Sequence, residues 1–429
     1  MSAVAGWTPK RLTDLAEYIN GYAFKPDDWG KEGLPIIRIE QLKNPTAPTD
    51  YFDGKLPSSR VIDNDDLIFS WSASLFLKIW QHGRAALNQH LFKVVEREGI
   101  NRLFLKSFID FYLPELTAAS HGSTMQHITR KELERFGAPF PESTSEQTKI
   151  AEILSTVDRA IEQTEALIAK QQLLKTGLMQ DLLTRGIDAH GNLRSEKTHE
   201  FKDSPLGRIP VEWEVKPLST VVDLQVGYAF KSSSFVEEGV RLLRGENVGT
   251  GSADWKDSRY LAHDAAMVHE DYALVSGDFI IGMDRTFTKQ GFKVTLLTDD
   301  DIPCLLVQRV GRFIPVTVPH GFMKILIQSP VYQRDLLLQQ KGMDIPHLSK
   351  GEILTPLVPV PNEQREMNAI AEEAEKINTT LLNTGCALHK FRALKIGLMR
   401  DLLTGRKRVT SLLAPSVFIK TSKEVSREI

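Results

Sequence analysis

KTGLMQDLLT, Lys175 to Thr184, is written again 220 positions later as KIGLMRDLLT, Lys395 to Thr404, with eight of the ten letters identical. A match of that quality within one chain marks a tandem duplication, and internal repeats decide an architecture before any single element does. The match extends backwards at the same offset. Gly122 meets Gly342, His127 meets His347, Pro139–Pro141 (PFP) meets Pro359–Pro361 (PVP), and Ile150-Ala151-Glu152 meets Ile370-Ala371-Glu372. Nearer the N-terminus the offset falls to 206. There GYAFK at Gly21–Lys25 recurs unchanged at Gly227–Lys231, Trp7 falls on Trp213, Lys10 on Lys216, Gly33 on Gly239, Arg38 on Arg244 and Glu40 on Glu246. The change of offset places insertions in the middle of each copy. The pattern is one framework carrying two different interiors.

The repeated decapeptide closes a long apolar stripe. Met367, Ile370, Ala374, Ile377, Leu381, Thr384, Leu388 and Phe391 step by three and four, the spacing of a helix with one buried seam. In the first copy Ile150, Leu154, Val157, Ile161 and Ile168 repeat it, and Leu174, Leu178 and Leu182 are expected to continue it on a slightly shifted face. Neither stretch contains proline. Ser143 and Thr144 stand three before Glu146 and Gln147, a capping-box spacing, Asn362 is placed to cap the second stretch, and Gly186 and Gly405 follow the last apolar turns. About 40 residues at ~1.5 Å each make a rod of roughly 60 Å. A rod with such a stripe needs a partner, and the other rod is the natural one. The connection over residues 185–212 is long enough for antiparallel pairing.

The remainder of each copy reads as short apolar runs between turn signals, with a few helices such as Asn101–Leu113, NRLFLKSFIDFYL. The expected fold class is α+β: two globular domains in tandem repeat, separated by two long antiparallel helices as a coiled-coil spacer, related by a pseudo-two-fold. The boundaries expected are a first domain over 1–141, a first spacer helix over 142–184, a linker over 185–212, a second domain over 213–361, a second spacer helix over 362–404 and a tail over 405–429. In GYAFK, Gly21 and Gly227 are expected to adopt a backbone angle that other residues avoid. Tyr22, Phe24, Tyr228 and Phe230 are read as framework core.

Composition narrows the function. The 429 residues are 41% hydrophobic and 25% charged, as in soluble globular proteins, and with a formal charge of −2 any nucleic-acid binding needs the basic residues gathered on one face, or a partner that supplies part of the charge. Two cysteines, Cys304 and Cys386, exclude a disulfide framework. The N-terminus has no signal-like apolar core and no run approaches the ~18–20 residues of a membrane span, so the cytoplasm is the expected location. No phosphate loop is present: Gly30-Lys31 and Gly54-Lys55 lack the hydroxyl residue and upstream glycine. Neither a glycine-rich cofactor loop nor an Asn-Pro-Pro-aromatic stretch for a flipped adenine occurs. Asp203, Glu214 and Lys216 faintly suggest a nuclease site, but Glu214 falls on Thr8 in the other copy. His127 and His347 share one framework position and are read as structural.

Two diverged domains, each opened by Trp and a G-x-x-F-K element and each closed by P-x-P and a helix ending LMxDLLT, resemble the specificity (S) subunit of type I restriction–modification enzymes. SPLGRIPVEWEVKPL, Ser204–Leu218, is similar to that family's entry into its second domain. The resemblance covers Trp7 to about Thr404. It implies two target recognition domains that read the halves of a split double-stranded DNA target, with the helices setting the gap. It implies no catalytic activity and no cofactor in this chain. Two methyltransferase (M) subunits and two restriction/motor (R) subunits would be the partners and would hold S-adenosylmethionine, ATP and Mg. A rival reading is a coiled-coil scaffold whose globular domains bind proteins. A third is an S-like subunit joining a single methyltransferase–nuclease polypeptide.

Base edges are read by Arg, Lys, Gln, Asn and small apolar groups, while phosphates are met by Ser, Thr, Lys and amides. In the diverged interior of copy one, the candidates are Trp71, Ser72, Arg84, Gln89, Thr124 and Gln126. In copy two they are Arg285, Lys289, Gln290 and Lys341. Lys25 and Arg244 are framework candidates for phosphate. The stretch Ala86–Val94, ALNQHLFKV read from Ala86, is taken to face only the dissimilar Asp301–Val310.

Overall fold

A computed structural model describes residues 4–119, 127–289, 291–339 and 347–413. The chain forms two compact units: Met1–Ala166 with Cys386–Ile429, and Leu167–Gly385. Both contain helices and sheets, and both are built on the same topology.

In the first unit a four-stranded antiparallel sheet runs Ala16–Asn20, Leu91–Glu96, Leu67–Ser70, Phe76–Ile79. The second unit repeats that order with Val222–Val226, Val310–Pro315, Phe279–Gly282 and Val294–Leu296. Side chains of successive strand residues point to opposite faces. Leu67 and Phe69 therefore enter the core beneath the helices, while Ile68 joins a second apolar cluster on the other face. Phe279 and Ile281 against Ile280 do the same in the second unit.

A second sheet in each unit carries a parallel strand pair, Leu34–Ile37 beside Ala85–Leu87 and Val240–Leu243 beside Cys304–Leu306. Ile36 pairs with Ala86, and Leu242 with Leu305. Since Ile36 and Leu242 are equivalent, Ala86 is opposite Leu305, an offset of 219. This corrects the alignment of the two interiors. ALNQHLFKV is the counterpart of LLVQRVGRF, and Gln89 falls on Gln308. A third ribbon joins each copy's ends, Trp7–Arg11 with Gly137–Pro141 and Glu214–Pro217 with Leu357–Val360.

The copies diverge in their packing helices. Arg102–Ala119 is one helix burying Phe104, Leu105, Phe108, Ile109, Tyr112 and Leu116. In copy two Ser329-Pro330 divides the equivalent into His320–Gln328 and Pro330–Gln339. The residue before a proline is pushed out of helical geometry, and Ser329 is extended accordingly.

Two long helices span Thr144–Thr184 and Gln364–Leu402. The unit boundaries, 166/167 and 385/386, fall inside them. Within the first unit the end of the second helix packs antiparallel on the start of the first. Asp158 pairs with Lys395 and Glu165 with Arg392, each at 2.6 Å, and Leu402 and Leu403 share a core with Ile150 and Leu154. In the second unit Met179, Leu182 and Leu183 share a core with Met367, Ile370 and Ala374.

The start of the first helix differs from a full capping box. Ser143 accepts the Glu146 amide at 3.3 Å, but the Glu146 carboxylate turns to Arg408 (2.6 and 2.7 Å) and Gln147 binds the Pro141 carbonyl (3.0 Å). The second helix begins at Gln364, beyond Asn362. Gly186 and Gly405 terminate the helices with φ of +67° and +70°. Each lies against the first tryptophan of a copy, Gly186 on Trp213 and Gly405 on Trp7.

Along the second helix Met367, Ile370 and Ala374 are buried and Ile377, Leu381, Thr384, Leu388 and Phe391 half-buried, whereas the stripe of the first needs correction. Leu174 is 56% exposed. The seam does not shift to meet it; it continues in register through Thr164, Gln171 and Lys175 to Leu178 and Leu182. Backbone geometry, not the apolarity of each side chain, sets which positions face inward. GYAFK also differs from expectation. Neither Gly21 nor Gly227 has a positive φ. A Cβ on Gly21 would strike the Leu87 and Asn88 carbonyls, and one on Gly227 would strike Val307. The glycine is required by close approach of two backbones, which Tyr22 and Tyr228 continue as bridges to Asn88 and Val307.

Candidate nucleic-acid interface

Each unit brings the same three segments together. The first is the tight turn between the parallel strand and the four-stranded sheet, Asn88–Leu91 or Val307–Val310. It is closed by the Leu91 amide on the Asn88 carbonyl (3.0 Å) and by Val310 on Val307 (3.2 Å). The second is the loop after the central strand, Ser70–Ser74 or Gly282–Thr286. A hydroxyl closes it in both copies: Ser70 donates to the Ser74 carbonyl (2.5 Å) and Thr286 to the Gly282 carbonyl (2.8 Å). Ala73 and Arg285 hold the same left-handed position, φ +59° and +47°. The third is the histidine segment. His127 bridges Ser72, and His347 bridges Asp284. The Ile128 amide donates to the Trp71 carbonyl and the Leu348 amide to the Met283 carbonyl, both at 2.9 Å.

On that common frame the side chains differ. In the first unit the Trp71 ring lies tilted among Phe92, His90 and His127, with ring centroids 5.5, 5.9 and 5.9 Å away. Trp71 Nε1, Gln89 Oε1 and His127 Nδ1 are buried and have no hydrogen-bond partner among the described residues. Such atoms are costly unless a ligand or water satisfies them. In the second unit Arg309 stands where His90 stands, and Asp284 where Ser72 stands. The Asp284 carboxylate accepts from His347 Nδ1 at 2.7 Å and from the Arg309 guanidinium at 3.0 Å. Desolvation pushes the Asp284 carboxyl up, but the His347 and Arg309 hydrogen bonds outweigh it and hold it below its ordinary value. A cleft of about 710 Å³ opens here, lined among others by Arg244, Asp284, Arg285, Lys293, Gln308 and Arg309. Burial lowers the Lys293 amine, whose Nζ donates to the Gly245 carbonyl and so ties two loops together.

The sequence candidates fall into groups. Trp71, Ser72 and Gln89 converge in the first unit, with Ser72 buried. Arg84 sits at the other end of the Ala85–Leu87 strand, exposed and 4.0 Å from Asp63. Lys25 is exposed beside the short helix Pro26–Asp28, its amide bonded to Asp28 (2.7 Å). Arg244 and Arg285 line the cleft of the second unit. Arg244 is already engaged by Glu246 and by the Asp257 carbonyl at 2.6 Å. Lys289 is exposed on the turn of the small hairpin Phe287–Thr288 and Gly291–Phe292. Thr124, Gln126, Gln290 and Lys341 lie outside the described residues.

His90, Gln308 and Arg309 were not among the candidates. Their signal was present, since shifting copy two by 219 sets NQHL over VQRV. Among the described residues no group of His, Cys, Asp or Glu could hold a metal ion, and no helix is long and apolar enough to cross a membrane.

The fold has close counterparts among solved chains. It matches the S subunit of a type I restriction–modification system from M. genitalium with a TM-score of 0.59 at 15% identity, covering 92% of this chain and 96% of that one. It matches a chain from a structure of complex assembly and conformational transition of the type I system with a TM-score of 0.52 at 14% identity, covering 94% and 99%. These likenesses define the class, an S-subunit fold. Sequence carries it further. Residues 5–171 match the family model of the type I restriction modification DNA specificity domain. The MjaVIII specificity subunit of Methanocaldococcus jannaschii is 30% identical over 414 residues, 95% of this chain and 94% of the relative. The EcoBI specificity subunit of Escherichia coli is 23% identical over 385 residues, 86% and 79%. The chain belongs to the family of type I restriction enzyme specificity subunits, and is a DNA-binding member of that system.

Proposed function

We propose that the two units read the two halves of a split DNA target, and that this chain selects the site while partner subunits perform the chemistry. One observation carries the reading: an identical three-segment frame is built twice, with Trp71, Gln89 and His90 on one and Asp284, Gln308 and Arg309 on the other. A shared frame presents both copies to DNA alike, and different side chains read different bases. DNA's backbone has local two-fold symmetry, so a duplicated reader suits major grooves about a turn apart, ~34 Å.

The long helices serve in this reading as the spacer that fixes the gap between half-sites. Two M and two R subunits supply adenine methylation and cleavage and hold S-adenosylmethionine, ATP and Mg; this chain contributes no catalysis of its own. Apolar side chains exposed on the helices, Leu173, Leu382 and Ile396 at 76%, 69% and 68%, support the docking of partner proteins. The complex acts in the cytoplasm, where its DNA lies. The alternative scaffold reading places an apolar patch at the three-segment frame, whereas the second unit's cleft is lined by charged side chains, four cations with three carboxylates.

The test is sequencing of modified bases in genomic DNA from cells carrying this subunit with its partners. A split methylated motif is expected. A continuous motif, or none, refutes bipartite reading.

A further inference from the structure

The geometry points to Arg309 as a specificity-determining residue that reads a guanine in the half-site of the second unit, with Asp284 and His347 as positioning residues behind it. This rests on the DNA-reading function above and names the base.

Arg309 lies at the exposed rim of the cleft, on the turn that joins the two sheets, and its side chain is 63% exposed. Its backbone is left-handed, φ +63°. Non-glycine residues hold that conformation only where surrounding structure compels it, and such residues cluster at functional sites. His90, its counterpart, is not left-handed, so this feature belongs to the second copy alone. The turn is held from both sides. The Gln308 amide donates to the Tyr228 carbonyl at 2.8 Å, and the Met283 amide donates to the Arg309 carbonyl at 2.9 Å.

Orientation of the guanidinium comes from a relay. His347 fixes one Asp284 oxygen at 2.7 Å, and the other oxygen receives Arg309 NH1 at 3.0 Å. A guanidinium held by one nitrogen keeps its remaining N–H groups directed outward in a plane. That planar fork matches guanine O6 and N7 in the major groove. The other cleft cations suit the task less. Arg244 is bound by Glu246 and Asp257. Lys293 is tied to Gly245. Arg285 has no hydrogen-bond or ion-pair partner among the described residues, so no neighbour orients its guanidinium.

The test uses the assembled complex on duplexes bearing the motif found by methylome sequencing. Each guanine is replaced in turn by 7-deazaguanine, which removes the N7 acceptor. Wild type, Arg309→Ala, Arg309→Lys and Asp284→Asn are compared by affinity and by the preferred base at each position. At one guanine the analogue should weaken wild type about 10-fold and leave Arg309→Ala unaffected, the range of a bidentate contact being roughly 5- to 150-fold. Arg309→Lys should keep the complex assembled yet lose that discrimination, because it retains the charge without the fork. Asp284→Asn should relax preference at the same base pair and no other.

Equal weakening of all sequences by Arg309→Ala, with a shallower salt dependence, would assign Arg309 to phosphate and overturn the inference. Additive effects at every guanine, or a motif without guanine, would overturn it too. If Arg309→Ala does not assemble, the lysine variant decides. A wild-type complex that yields no split motif would instead defeat the underlying bipartite reading.

Discussion

Gly21 and Gly227 show how one residue can serve a repeat for a reason the sequence does not display. The pentapeptide GYAFK invites a turn with unusual dihedrals. The structure instead presses each glycine against the backbone where the strand Ala85–Leu87 or Cys304–Leu306 ends, with the Gly21 amide on the Leu91 carbonyl and the Gly227 amide on the Val310 carbonyl, both at 3.0 Å. Carbonyl groups cannot move aside as side chains do. Gly227→Ala should therefore destabilise the second unit by about 2 kcal/mol, as overpacking of a tight interior does. Urea denaturation monitored by tryptophan fluorescence would show it. An alanine variant of unchanged stability would mean the strand can retreat without cost. The residues proposed to read DNA are equally local. Gln89 could be singled out because it stands in a diverged loop. Gln308 and Arg309 were harder to see, because the offset between the copies changes along the chain, from 206 to 219 and 220, and masked their equivalence to Gln89 and His90.

At the scale of elements, the long helices are the most legible part of the chain. Residues spaced by three and four, the absence of proline and the two terminal glycines place them within a few residues of Thr144–Thr184 and Gln364–Leu402. What sequence misjudged was the middle of the first seam, where apolar letters were followed onto Leu174. The structure keeps the register and turns Lys175 inward. Burial lowers the Lys175 amine from its ordinary 10.5, with Glu375 opposing that shift. A lysine whose folded pKa is depressed binds fewer protons folded than unfolded, so stability rises with pH through the interval below 10.5. Lys175→Met should remove that dependence and raise stability at pH 7. Denaturation midpoints of both proteins at pH 7 and pH 10 would check it; the gap should narrow at the higher pH. A gap independent of pH would show that Lys175 is charged without penalty.

The same scale shows how each unit is finished. After the first helix, Arg194 folds onto Glu366 (NH2 to Oε2, 3.1 Å), whose carboxylate also accepts Trp213 Nε1 at 3.1 Å. After the second helix, Arg408 folds onto Glu146. The first pair is buried and the second partly buried, and they join residues 172 and 262 apart in the chain. No local pattern announces them.

For the whole molecule, the duplication accounts for both the sameness and the difference of the units. Sheet order, third ribbon, loop closure and the histidine bridge repeat, while the packing helix and cleft chemistry do not. If the long helices are the ruler of a split target, adding one heptad to each should change the accepted gap between half-sites and leave both half-site sequences unaltered. Methylome sequencing of cells carrying the lengthened subunit would read this directly. An unchanged gap would remove the ruler role while leaving recognition by each unit intact.

The sequence by itself determined the duplication, the two long helices, the mixed character of the remainder and the family, because periodicity and repetition are properties of the chain's order. Only the tertiary structure decided which diverged residues stand together. Asp284, Arg309 and His347 meet because strands distant in sequence pair in one register. Pairing register depends on how two sheets and a helix share one core, and that is a condition no single segment carries.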